Sequence, residues 1–177
     1  IASIYPGAVI DNVQAFNGSA EANMVSIMTL IEPGDEIVYM VPNYLQIYGF
    51  ARGLGADVKT FELHESLQWK PDLDEIKAIV SEKTKLICIC NPNNPTGSVL
   101  PKEMVKAIVD LAESVDAWII ADEVYREFCY DGHVHHSVLN IEGIEQHAIM
   151  IDSTSKRYSM CGIRVGCIVS KNKEVMA

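Results

Sequence analysis

Apolar residues fall in short dense runs along the chain, separated by polar punctuation. In residues 20–31, Met24, Val25, Ile27, Met28, Leu30 and Ile31 cover most of a helical circumference. This predicts a largely buried helix, ended by Glu32-Pro33-Gly34-Asp35. A β-branched and aromatic run at 36–41 then predicts a strand, and 44–54 a helix. The alternation repeats: strand 57–61, helix 72–80, strand 85–90, helix 101–115 with Pro101 at its favoured first position. Further buried strands are predicted at 117–121 and 148–151, and a strand runs over 163–169. Residues 130–146 read as a long surface excursion, and a helix opens near Lys173.

Continuous apolar strands alternating with helices of this length imply an α/β fold: three α/β/α layers around a mostly parallel mixed sheet. In such sheets ligands gather beyond the carboxyl ends of the strands, which makes the residues after each apolar run the ones to inspect. Strand 85–90 runs into Asn91-Pro92-Asn93-Asn94-Pro95-Thr96-Gly97, strand 117–121 into Asp122-Glu123-Val124-Tyr125, and strand 148–151 into Asp152-Ser153-Thr154-Ser155-Lys156. Asn17-Gly18-Ser19-Ala20 precedes the first helix, whose free N–H groups suit an anion. Each motif also has an ordinary use: Gly-Ser before a helix caps it, Asn, Pro and Gly build turns, and single lysines and arginines are mostly solvated.

Composition narrows the field. The 177 residues fit roughly one domain at about 150 residues per domain, and a formal charge of −10 disfavours a general basic surface for nucleic acid. No apolar run approaches the roughly 18–20 residues of a spanning helix, so no membrane partner is expected. The five cysteines form no CxxC pair, which suits reduced thiols in a cytoplasm. His133, His135 and His136 beside Asp131 lack the spacing of a preorganised metal site; a solvated loop and no metal are expected. No GxGxxG lies between a strand and a helix, which counts against a nicotinamide-binding domain.

In order and spacing, Asn17-Gly18-Ser19-Ala20-Glu21-Ala22, Pro33-Gly34-Asp35, Pro42-Asn43-Tyr44, residues 91–97, Ala121-Asp122-Glu123-Val124-Tyr125 and residues 153–166 (STSKRYSMCGIRVG) resemble the fold-type I, pyridoxal-phosphate-dependent aminotransferases of class I/II. The resemblance covers nearly the whole chain. It implies that Lys156 forms the Schiff base with pyridoxal 5′-phosphate and afterwards moves a proton at the substrate α-carbon. Asp122 matches the carboxylate that keeps the pyridine nitrogen protonated, Asn94 and Tyr125 match the hydrogen-bond partners of the ring oxygen, and Tyr44 matches the residue stacked over the ring. The backbone at Gly18, Ser19 and Ala20, the hydroxyls of Ser153 and Ser155, and the Arg164 fork match the phosphate donors.

The same resemblance implies an amino acid and a 2-oxo acid as substrates, and a homodimeric parent protein. Family members are longer, so an N-terminal segment and a small C-terminal domain are expected outside a large, cofactor-binding domain spanning residues 1–177. In many relatives an arginine of that missing domain grips the substrate carboxylate, and no residue here matches it. Two alternatives stay open: a lyase or decarboxylase on the same scaffold, and a non-catalytic module that binds cofactor or effector.

Overall fold

The computed structural model describes residues 1–5 and 7–177. Its principal elements, in chain order, are β1 (Val13–Phe16), α1 (Ser19–Leu30), β2 (Glu36–Val41), α2 (Gln46–Gly53), β3 (Asp57–His64), β4 (Lys70–Pro71), α3 (Leu73–Ile79), β5 (Thr84–Cys90), α4 (Lys102–Ser114), β6 (Trp118–Asp122), β7 (Ala148–Ser153), α5 (Thr154–Arg157) and β8 (Gly166–Val169). The eight strands form one mixed sheet in the order β1-β8-β7-β6-β5-β2-β3-β4. The five central strands β7, β6, β5, β2 and β3 run parallel, while β1, β8 and β4 pair antiparallel at the two ends.

Each face of the sheet is covered, which is why the central strands read as unbroken apolar runs. On one face Ala22 and Ile27 of α1 and Ile47 and Ala51 of α2 pack on Ile37, Leu86, Ile120 and Ile149. On the other, Val105, Ile108, Val109 and Ala112 of α4, at helical spacing, pack with Ile76 of α3 on Val38, Ile87 and Ile119. Burying one such side chain contributes about 1.5–3 kcal/mol, so the two layers supply most of the drive to fold. Asp72 caps α3, its carboxylate accepting from Asp74 N at 2.9 Å.

Several expectations need correction. The first helix is not buried all round: it turns small residues, Ala22, Asn23 and Ser26 with Ile27, to the sheet, and Met28 is 61% exposed. A small face lets the helix backbone approach β8, which bulky side chains would prevent. Pro101 is the N-cap of α4 rather than its first helical residue. The strand expected from 163 begins at Gly166, because residues 161–163 form a 3-10 turn and Arg164 adopts a left-handed conformation. Residues 173–176 form a turn, with the Asn172 carboxamide accepting from Glu174 N and Val175 N. The excursion at 130–146 is only half on the surface, since Val138, Leu139, Ile141 and Ile144 join the core. β1 and β4 fall outside the expected pattern: both are short and lie at the two ends of the sheet order.

The chain leaves β2 outward to β3 and returns to β5 on β2's other side, which opens a crevice at the carboxyl ends of β2 and β5. That crevice holds the candidate site. Among the described residues, no helix is long and apolar enough to cross a membrane.

Candidate active site

A pocket of about 190 Å³ opens beyond the carboxyl ends of β2, β5, β6 and β7. Ser19 and Ala20 of α1, Tyr44, Asn94, Asp122, Tyr125, Ser155, Lys156 and Arg164 all line it. Each arrives by a short path from a strand end. Asp122 is the last residue of β6 and pairs across the sheet with Cys90, the last residue of β5. Lys156 sits on α5, the single turn that follows β7, and its Nζ lies 5.6 Å from the centroid of the Tyr125 ring.

The asparagine loop divides its labour. Asn91 is a brace, its Oδ1 accepting from Leu100 N at 2.9 Å and its Nδ2 donating to His136 O at 3.2 Å. Asn93 is another: its Oδ1 accepts from the Thr96 hydroxyl at 2.7 Å, and its Nδ2 donates to Pro42 O at 3.2 Å. These bonds hold the loops after β5 and β2 together and leave Asn94 to line the pocket.

At the opposite end the backbone is drawn tight. Gly18 has φ 83°, a conformation that favours glycine, and a Cβ there would meet the Arg164 guanidinium at 2.2 Å. A Cβ on Gly166 would fall 2.4 Å from Ser19 N, so two glycines let β8, the start of α1 and the arginine fork close on one another. Arg164 donates to Cys161 O at 2.9 Å and to Asn17 O at 3.4 Å, and its left-handed backbone is held by this packing. The result is a positive seat at a helix N-terminus.

Gly18 and Ser153 stand behind the pocket wall. Gly18 backs the guanidinium, and Ser153 caps α5, its Oγ accepting from Ser155 N at 3.3 Å. Ser153 thereby fixes the turn that carries Lys156.

Electrostatically the pocket is left open. Among the described residues Asp122, Lys156 and Arg164 have no ion-pair partner within 4 Å, although Asp122 is only 8% exposed. Burial pushes the Asp122 carboxyl up to about 6, against the pull of the Val124 N–H and the positive charge of Lys156. A buried carboxylate, an ammonium and a guanidinium arranged in this way suit a ligand of mixed charge.

Three residues escaped the sequence reading. Val124 and Cys90 line the pocket, and the Cys90 thiol, raised by burial, hydrogen-bonds Pro92 O at 3.3 Å. Asn23 is buried beside Asp122. Its signal was available, since a carboxamide on the sheet-facing side of a helix is an exception to the apolar rule. Cys161, exposed, also lines the pocket. In the histidine loop His133 is exposed, but His135 is tucked inside against Glu123; the solvated reading fails there because the segment folds back over the sheet.

The model of the family described as aminotransferase class I and II matches residues 7–177. The chain belongs to the class I and II aminotransferases. It is 34% identical to the glutamate-pyruvate aminotransferase AlaA of Haemophilus influenzae over 92% of its length and 40% of the relative's. To a probable aspartate aminotransferase of Methanocaldococcus jannaschii it is 35% identical, over 93% of the chain and 43% of that protein. A crystal structure of a PLP-dependent aminotransferase from Streptococcus suis superposes with a TM-score of 0.92 at 34% identity, covering 99% of this chain and 45% of that one. The chain therefore spans less than half the length of these aminotransferases.

Proposed function

We propose that the chain is the large, cofactor-binding domain of a pyridoxal-phosphate-dependent aminotransferase that moves an amino group between an amino acid and a 2-oxo acid. One observation carries the reading: Asp122 and Lys156, both without an ion-pair partner among the described residues, line the same pocket. The residues fit the cofactor chemically. The Gly18 and Gly166 backbones leave room for the close approach at the helix start, and the Ser19 and Ala20 amides with the Arg164 fork suit a phosphate. The Asp122 carboxylate suits a protonated ring nitrogen, which would replace the hydration it lost on burial.

When bound, pyridoxal phosphate links to an amine through its aldehyde and draws electrons from the bond that breaks at the substrate α-carbon. Lys156 would supply the amine that holds it and would hold and return the proton exchanged at that α-carbon. Tyr125 and Asn94 line the pocket and would donate to the ring oxygen, while Tyr44, 53% exposed, would cover the ring face. A cytoplasmic setting, supported by the five free cysteines, and a homodimeric parent protein, as the family resemblance implies, complete the reading.

The test is chemical and then kinetic. The protein mixed with pyridoxal phosphate is expected to develop visible absorption, and borohydride reduction is expected to fix the added mass on Lys156; mass on another lysine overturns the assignment. The full-length enzyme supplied with amino-acid and 2-oxo-acid pairs is expected to exchange amino groups. Elimination or decarboxylation products in their place would overturn the transfer reading.

A further inference from the structure

β2 holds one hydroxyl among its buried apolar side chains. Ile37, Val38, Tyr39 and Met40 are each 1% exposed or less, and Tyr39 alone of the four carries an O–H. A phenol in such a place must find a partner for its hydroxyl, whereas phenylalanine would fill nearly the same space without that demand. The partner is the Tyr44 carbonyl, which accepts from the Tyr39 hydroxyl at 2.6 Å. Burial raises the pKa of this hydroxyl, which therefore stays a donor. Tyr48 of α2 packs on the Tyr39 ring, with centroids 5.7 Å apart, and steadies its direction.

The acceptor lies in a segment with little else to hold it. Residues 42–45 join β2 to α2 and belong to neither. Tyr44 N is bonded to Asn43 Oδ1 at 2.7 Å, a bond internal to the loop that would move with it. The ties to the rest of the chain come from outside. Asn93 Nδ2 donates to Pro42 O at 3.2 Å where the loop leaves the strand, and Gln46, the first residue of α2, donates to Ala20 O at 2.9 Å where the helix begins. Between these two points, among the described residues, the Tyr39 hydroxyl is what meets the Tyr44 carbonyl. The Tyr44 ring is itself exposed and lines the pocket, so its place depends on its backbone more than on its packing.

We propose that Tyr39 is a positioning residue for Tyr44: its buried hydroxyl pins the Tyr44 carbonyl and thereby keeps the aromatic wall of the pocket in place. The consequence for cofactor binding rests on the reading of Tyr44 as the residue that covers the ring. The pinning itself does not.

The cofactor-free protein gives the direct readout, in the NMR order parameter of the Tyr44 N–H. It is expected at about 0.85, the value of rigid backbone, in the unaltered protein, and below about 0.6 in Tyr39→Phe, which removes the hydroxyl and keeps the ring. A merely structural role would lower the melting temperature and leave this order parameter in place, so an unchanged value in the folded variant overturns the proposal. Pyridoxal phosphate then supplies a double-mutant cycle. Tyr39→Phe is expected to bind it about fivefold more weakly, and to add no further loss in the Tyr44→Ala background, where the residue it positions is gone. An equal loss in both backgrounds means that Tyr39 acts by another route, and overturns the proposal. The two readings separate cleanly: if Tyr44→Ala binds pyridoxal phosphate as tightly as the unaltered protein, the ring-covering role of Tyr44 falls, whereas an unchanged order parameter in Tyr39→Phe removes the role of Tyr39 alone.

Discussion

Asp122 and Glu123 are consecutive buried carboxyls at the end of β6, and Lys156 and Arg157 are consecutive cations on α5, yet each pair divides between two different regions. Asp122 and Lys156 line the pocket without an ion-pair partner among the described residues. Glu123 and Arg157 enter a second polar cluster and find partners within the chain. Glu123 Oε1 accepts from Ser137 Oγ at 2.9 Å and Val138 N at 3.0 Å, and Arg157 Nη2 pairs with Asp152 at 2.5 Å. In the same cluster Arg126 donates to the Tyr5 hydroxyl at 3.0 Å and covers its ring. Successive residues at a strand end point to opposite sides, which sorts one carboxyl to chemistry and its neighbour to architecture. Among the described residues, charges without an ion-pair partner mark the first region and pairing within the chain marks the second.

One detail of the second cluster follows from protonation. Glu123 Oε2 and His135 Nε2 are both without a hydrogen-bond partner and lie 3.3 Å apart. Burial pushes Glu123 up to about 8 and His135 down to about 4, so near neutral pH both are uncharged. The proton on the Glu123 carboxyl then donates to the imidazole, and the two orphaned atoms become one bond.

The contrast predicts opposite mutational signatures. The largest effect is on activity: Lys156→Ala is expected to lose the borohydride-fixed adduct and at least about 100-fold in turnover of the full-length enzyme, with little change in melting temperature. A substantial loss of stability there would blur the contrast. Next, Asp152→Ala is expected to destabilise the fold by about 3–5 kcal/mol in urea titration, because it strands the Arg157 guanidinium among buried groups. Gly18→Ala bridges the two regions. With φ 83° and the guanidinium in the way, it is expected to cost about 1–3 kcal/mol of stability and to weaken cofactor binding by calorimetry.

The last prediction is the pH dependence of stability. Glu123 binds its proton in the folded chain up to about 8, against an ordinary value of 4.5. Between those values the folded state holds more protons than the unfolded one, so this group's contribution is full below about 4.5 and is lost as pH rises to about 8. Urea midpoints measured across that window are expected to fall with rising pH, and Glu123→Gln to flatten the slope. An equal slope in both proteins would place the titration elsewhere.

The sequence exposed the elements with strong local signals. The β2, β5 and β6 runs are continuous and apolar because both faces of the sheet are covered, and α4 repeats its apolar residues at helical spacing. Where the signal was tertiary, the sequence misled. Met28 looks like core and faces outward, whereas Asn23 and Ser26 look polar and face the sheet, because the approach of α1 to β8 is set by the Gly18–Gly166 contact. His135 reads as a loop residue until the segment after β6 folds over it.

The order of residues alone determined that alternating strands and helices would build a layered sheet, and that amides, hydroxyls, a carboxylate and a lysine would follow its strand ends. Strand periodicity and the sheet's parallel run place such ends on one edge. Only the tertiary structure decided which of two adjacent carboxyls would face the pocket and which asparagines of the loop would brace it. Those outcomes depend on contacts between residues far apart in the chain, and no local pattern encodes them.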